Sequence, residues 1–169
     1  KGNEPMLQLR NQGIILGADN EKMSKSRGNV VAPDELVARH GADALRAYLM
    51  FAYRWFEGGP WNSTGIEGIV RWLRRTWVLF TGPVPYPIPG AAAGNHSAAR
   101  ALRRKVHQTL QHVTRDFEAF EFNTVISSLM ELLNGMYAAR AAGVAGTPEW
   151  DEAAEYYLKM LAPVCPHIA

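Results

Sequence analysis

The sequence predicts a mainly α-helical protein, with one short strand and a polar loop near its start and a helical bundle at its end. Three observations carry this expectation. Apolar residues recur at spacings of three and four over residues 64–80, 102–120 and 125–137, and again near 156–161, which is the period of a helix face turned to a core. Only Gly13-Ile14-Ile15-Leu16-Gly17 reads as a β-branched run between glycines, suited to one buried strand. Finally, the Pro/Gly-rich stretch over 82–96 cannot hold a regular helix or a central strand, so it divides an N-terminal block from a C-terminal one.

The elements follow in order. After the strand, polar residues from Asp19 to Asn29 form a loop with Gly28 near its end. Pro33-Asp34-Glu35 looks like a first helical turn, with proline at N1 and acids at the positive end of the dipole. That helix stops at His40-Gly41, where glycine can close it and His40 sits at the favourable end of the dipole. Asp43 can cap a second helix carrying Leu45, Tyr48, Leu49 and Ala52 on one face. A third runs from about Thr64 to Phe80, with Ile66, Ile69, Val70, Leu73, Trp77 and Phe80 as its apolar stripe. Beyond the linker, Leu102, Val106, Leu110, Val113, Phe117 and Phe120 mark a fourth helix. Asn123 is placed to cap a fifth, whose stripe is Val125, Ile126, Leu129, Met130, Leu133, Met136 and Tyr137. A turn over 143–147 precedes a last helix opened by Pro148, and Pro163 and Pro166 break it. Helices joined by turns this short pack antiparallel. Three of them leave one side open, so a partner helix beyond Ala169 is expected.

Composition restricts the function classes. The chain has 169 residues, 47% hydrophobic and 20% charged, as globular proteins do. No apolar run approaches the roughly 18 residues of a membrane span. Cys165 is the only cysteine, which excludes an intrachain disulfide and points to a reducing, cytoplasmic setting. The opening Lys1-Gly2-Asn3-Glu4 has neither an initiator Met nor a signal-type apolar stretch, and reads as a cut end. Net charge is only +2. Its distribution is uneven: Arg100, Arg103, Arg104, Lys105 and Arg115 lie in a stretch without an acid. Such a stripe suits a phosphate backbone and equally suits a solvated helix face.

The loop carries the chemistry. Lys22, Lys25 and Arg27 stand close together, with Ser24 and Ser26 between and a glycine hinge after them. Compact ammonium charges on flexible stems can follow phosphate oxygens as bonds rearrange, and serine hydroxyls can bond the same oxygens or hold the turn. A strand leading into such a loop is suited to gripping a polyphosphate.

Lys22-Met23-Ser24-Lys25-Ser26 matches the KMSKS motif of class I aminoacyl-tRNA synthetases without a mismatch. The sequel agrees. Asn29-Val30-Val31-Ala32-Pro33-Asp34-Glu35-Leu36-Val37 and His40-Gly41-Ala42-Asp43-Ala44-Leu45-Arg46 resemble that family's segment after the loop. Ala32 departs from the Asp or Asn often found before the proline, which weakens a helix cap and leaves the chemistry intact. Gln12-Gly13-Ile14-Ile15-Leu16, the segment from Trp61 through Trp77, Phe122 to Glu131, and Leu161 to Ala169 resemble the leucine branch of the family in particular. The methionine and valine branches remain alternatives, because the loop does not select the amino acid. So does a non-catalytic helical RNA-binding module derived from such an enzyme.

The resemblance implies a remnant of a Rossmann-type catalytic domain over residues 1–62, joined to an anticodon-binding helical bundle over 63–169 that is truncated at its C-terminus. It implies ATP with Mg2+, leucine and leucine-accepting tRNA as partners of the whole enzyme, and no membrane. Lys25 would stabilise the pyrophosphate side of the transition state with Lys22 assisting, inside an ATP-binding loop of Lys22, Met23, Ser24, Lys25 and Ser26, where Met23 anchors by packing. None of the five histidines lies in the family's second, HIGH-like motif, and the editing domain and leucine pocket are not represented. A fragment inactive alone is therefore expected. Candidate tRNA backbone contacts are Arg71, Arg74 and Arg75 on one helix and Arg103, Arg104 and Lys105 on another. His107 and His112 lack the carboxylates of a metal cluster, so no metal site is expected. Trp55, Trp61, Trp72 and Trp77 read as packing residues.

Overall fold

The computed structural model describes residues 6, 8–83 and 96–169; most of the expected linker lies outside them. Strand β1 (Ile14–Leu16) leads into the lysine loop, and helices α1 (Pro33–His40) and α2 (Ala42–Ala52) follow. A second strand, β2 (Gly58–Pro60), then helix α3 (Ile66–Thr81), complete the N-terminal block. The C-terminal block is α4 (His96–Ala119), α5 (Phe122–Ala141) and α6 (Pro148–Leu161). The fold class is as expected: mostly helical, with a minimal sheet.

β2 is the element that sequence reasoning missed. It pairs in parallel with β1, Ile14 opposite Gly58 and Leu16 opposite Pro60. Its Gly-Gly-Pro sequence has no β propensity, and close approach is what the glycines supply. Gly58 has a φ of +67°, and a Cβ there would lie 2.1 Å from the Ile14 carbonyl oxygen. A Cβ on Gly13 would meet the Gly58 nitrogen, also at 2.1 Å. Side chains hold the pair onto α2: Tyr53 Oη donates to the Pro60 carbonyl at 2.9 Å and Tyr48 Oη to that of Asn62 at 2.7 Å. Trp61 packs edge-on against Tyr48, ring centroids 5.0 Å apart.

The buried apolar residues of both blocks form one continuous cluster. At its centre is α5, where Val125, Ile126, Leu129, Leu132, Leu133 and Met136 are all fully buried. Helix α5 packs against α4 and α6 of its own block and against α2 and α3 of the N-terminal block. The N-terminal block thus supplies packing partners for α5 in addition to α4 and α6. Among the described residues no helix is long and apolar enough to cross a membrane.

Three expectations are corrected. Asp43 does not cap α2; Gly41 stands at the N-cap and Asp43 is buried inside the first turn. Its carboxylate instead accepts from the backbone N–H groups of His167 at 3.0 Å and Ile168 at 2.9 Å, and from His167 Nδ1 at 2.8 Å. Asn123 does not cap α5 either: the helix starts one residue before it, after Glu121, and Asn123 Oδ1 is buried without a hydrogen-bond partner among the described residues. The α4–α5 corner is fixed instead by Asp116, which accepts from Thr124 Oγ1 at 2.6 Å. Finally, Trp77 is 56% exposed while Trp72 is buried, since the buried stripe of α3 runs Ile66, Ile69, Trp72, Leu73, Thr76 and Leu79.

Arg46 completes the tie to the chain end, donating from Nε to the Val164 carbonyl at 3.0 Å and from its guanidinium to that of Pro163 at 2.9 Å. Arg140 does the same for α3, whose last carbonyls at Leu79 and Gly82 it binds at 3.0 and 3.3 Å. Both use a rigid donor fork to satisfy carbonyls left over where a helix ends.

Candidate functional site

The lysine loop starts as a tight reversal. The Gly17 N–H donates to the Glu21 carbonyl at 2.8 Å, Asn20 takes a positive φ of 62°, and Leu16 bridges back to Lys22. Asparagine tolerates that left-handed conformation better than most residues. A single 3-10 turn follows over Lys25–Arg27, closed by Gly28 at φ 69°, whose N–H donates to the Lys25 carbonyl at 3.2 Å.

Within the loop the side chains divide the work. Met23 is half-buried and packed against the core, the anchor that its apolar, adaptable stem is suited to be. Ser24 and Ser26 hold each other, Oγ to Oγ, at 2.8 Å. Arg27 pairs with Glu21 at 3.1 Å across exposed surface, so the third cation is engaged within the loop. The side chains of Lys22 and Lys25 are exposed and make no ion pair among the described residues. Two ammonium groups are therefore presented to solvent from a loop whose backbone is held.

Sequence reasoning overlooked what holds it. Asn29 Oδ1 accepts from the Ser24 N–H at 2.8 Å, and Asn29 Nδ2 donates to Asp19 Oδ2 at 3.0 Å and to the Lys22 carbonyl at 3.4 Å. The Glu21 N–H and the Asn29 amide, in that order, hold the Asp19 carboxyl below the usual carboxylate range. The available signal was the residue type: Asn and Asp in loops bond nearby backbone.

The six basic candidates separate into groups. Arg75 donates to Asn134 Oδ1 at 2.8 Å and lies over the Tyr137 ring. Lys105 pairs with Glu131 at 3.1 Å. Asn134 and Glu131 are both exposed and one turn apart on α5, so Arg75 of α3 and Lys105 of α4 each reach a neighbouring residue of α5. Arg71 lies one turn before Arg75 on α3. Arg103 turns away to α6, where it pairs with Glu152 at 2.8 Å. Arg71, Arg74 and Arg104 are exposed and make no ion pair among the described residues. Among those residues, no group of three or more His, Cys, Asp or Glu side chains converges to hold a metal; His107 pairs with Glu152 instead, at 3.3 Å.

Residues 1–56 match the family model of tRNA synthetases class I (I, L, M and V), and residues 99–169 match that of the anticodon-binding domain of tRNA ligase. The chain is 50% identical over 168 residues to the leucine–tRNA ligase of Deinococcus radiodurans, and 48% identical over 167 residues to that of Herpetosiphon aurantiacus. In each case 99% of this chain aligns with 20% of the relative, so the chain spans about a fifth of the length of these proteins. Among solved structures it resembles the LeuRS–tRNA–LeuAMS ternary complex of Agrobacterium radiobacter K84, with a TM-score of 0.82 and 30% identity over 99% of this chain and 22% of that one. The fold is shared with Mycobacterium tuberculosis methionyl-tRNA synthetase in complex with methionyl-adenylate, at a TM-score of 0.64 and 20% identity over 92% of this chain and 35% of that one. In motif, sequence and fold, the chain resembles the class I tRNA synthetases, over residues 1–56 in their catalytic domain and over 99–169 in the anticodon-binding domain.

Proposed function

We propose that this chain is part of a leucine–tRNA ligase, contributing a loop that grips ATP phosphates and a helical bundle that holds tRNA. Residues 1–62 then form the end of the catalytic domain and residues 63–169 the anticodon-binding-type bundle. The observation that carries the reading is the pair of exposed ammonium groups, Lys22 and Lys25, set on a fixed loop at the end of β1.

The reaction has two steps. The leucine carboxylate attacks the α-phosphorus of ATP, the bond to the bridging oxygen breaks, and pyrophosphate leaves; a hydroxyl of the terminal ribose of tRNA then attacks the leucyl carbonyl, the acyl–phosphate bond breaks, and AMP leaves. In the first step negative charge builds on the leaving pyrophosphate, and fixed cations lower the barrier by meeting that charge as it forms. Lys25 is assigned this part and Lys22 assists. The residues present fit a polyphosphate better than a bare metal ion, because the loop's carboxylates are occupied by Asn29 and Arg27. Magnesium would accordingly be held through ATP's own phosphate oxygens, as this hard, strongly hydrated ion commonly is. The setting proposed for this work is the cytoplasm.

On the bundle, Arg71, Arg74 and Arg75 with Arg104 and Lys105 are the candidate phosphate contacts on tRNA, and Arg103 the weakest of the six. Such contacts supply affinity and register, with little sequence information.

The test is Lys25→Ala in the full-length protein that contains this segment. Leucine-dependent ATP–pyrophosphate exchange falls about 100-fold or more in kcat, of the size seen when one fixed charge is removed from such a site, while the KM for ATP changes far less. Near-normal exchange in that variant would refute the assignment.

A further inference from the structure

Lys22 and Lys25 have no ion-pair partners of their own among the described residues, so the backbone that carries them decides where their charges lie. Besides its own turn bonds, that backbone is tied together by one carboxamide. Asn29 sits at the end of the loop, yet it reaches the start through the Lys22 carbonyl, the middle through the Ser24 N–H, and the reversal through Asp19. The orientation of the amide is unambiguous, because both partners of Nδ2 are acceptors and the partner of Oδ1 is an N–H.

A second observation is independent of these bonds. A Cβ on Gly17 would lie 2.5 Å from Asp19 Oδ1 and 3.0 Å from Asn29 Nδ2. The end of β1 is therefore bare of side chain where Asp19 and Asn29 meet. Gly17 has no positive φ to require glycine, and a side chain there would displace the Asp19–Asn29 pair from its present position.

We propose that Asn29 is the positioning residue of the loop: clamped to Asp19, it sets the chain from Lys22 to Ser24 and so the place from which both lysines reach a polyphosphate. This rests on the reading of the loop as a grip on ATP phosphates. Asn29 itself need not touch ATP. Its effect is on alignment, and misplacement of reacting groups by about 1 Å can cost on the order of 100-fold in rate.

The experiment uses the full-length protein and leucine-dependent ATP–pyrophosphate exchange. Asn29→Asp keeps an acceptor for the Ser24 N–H and places a carboxylate against the Asp19 carboxylate. We expect kcat to fall about 10- to 100-fold, with the KM for ATP within about threefold. The swap Asp19→Asn with Asn29→Asp returns the donor from the other side and recovers kcat to within about threefold of the parent. Asn29→Gln, with the amide displaced by one methylene, stays low. Lys25→Ala is the control for the underlying reading. If Lys25→Ala lowers exchange while Asn29→Asp does not, or if the swap is no better than Asn29→Asp alone, the positioning role is wrong. If Lys25→Ala leaves exchange unchanged, the phosphate-grip reading falls, and the positioning role falls with it. A loss expressed only in thermal stability, with kcat intact, also overturns the proposal.

Discussion

The carboxylate of Asp43 ties the end of the chain to α2 by accepting two backbone N–H groups, at residues 167 and 168. Removing it leaves those donors with no acceptor in a part-buried corner, where each unmade bond costs about 1–3 kcal/mol. Asp43→Ala should therefore lower unfolding stability by about 2–4 kcal/mol, measured by urea denaturation of the isolated chain; a change below about 0.5 kcal/mol would contradict the role. Beside it, burial pushes the Cys165 thiol up to about 12, with the Asp43 charge adding to this and Arg46 opposing. A folded value above the unfolded one means that the native state keeps its proton longer. Its contribution is complete below pH 9 and is lost as pH rises from 9 to about 12. Unfolding free energy should fall across that window, and fall less steeply in Cys165→Ala. None of this was legible in the sequence: Asp43 and His167 lie 124 residues apart, and a residue that could cap its own helix looked sufficient for that task.

At the scale of elements, the helices were legible and the sheet was half legible. Helix faces announce themselves because apolar side chains repeat at a fixed spacing against one core, as Leu102, Val106 and Val113 do on α4. The strand β1 was readable from its isoleucines. β2 was not, since its fitness for pairing is the absence of side chains at Gly58 and Gly59. The same logic makes Gly58 the most sensitive position of the sheet. Gly58→Ala would put a methyl carbon against the Ile14 carbonyl at a left-handed φ, and should cost at least about 1–3 kcal/mol. The loss should be concentrated at the β1–β2 pair, read as faster amide exchange at Gly13 and Trp61, whose N–H groups bond the Trp55 and Leu16 carbonyls across it. Unchanged exchange at both amides would show that the pair tolerates the substitution. The loop lies between these cases: five contiguous residues named it, while Asn29, which holds it, was hidden among polar neighbours.

For the whole molecule, the two blocks share one core and present two groups of candidate cations, the exposed pair on the loop and the arginines and lysine of α3 and α4. The six arginines and lysines chosen by sequence looked equivalent, because sequence shows charge and not the carboxylate that neutralises it. Folding distinguishes them. If Arg71 and Arg74 meet tRNA phosphates, their joint replacement by alanine should reduce the slope of log affinity against log salt by about one for each phosphate no longer neutralised. Arg103→Ala, at a site paired with Glu152, should leave that slope unchanged. Equal effects from both, in filter-binding titrations across salt, would contradict the division.

That this segment serves leucine activation is tested most directly by amino-acid-dependent ATP–pyrophosphate exchange with the full-length protein. Exchange should be driven by leucine, with valine and methionine supporting at least about 100-fold less, the scale on which one methylene is discriminated. Exchange driven best by methionine or valine, or by no amino acid, would contradict it.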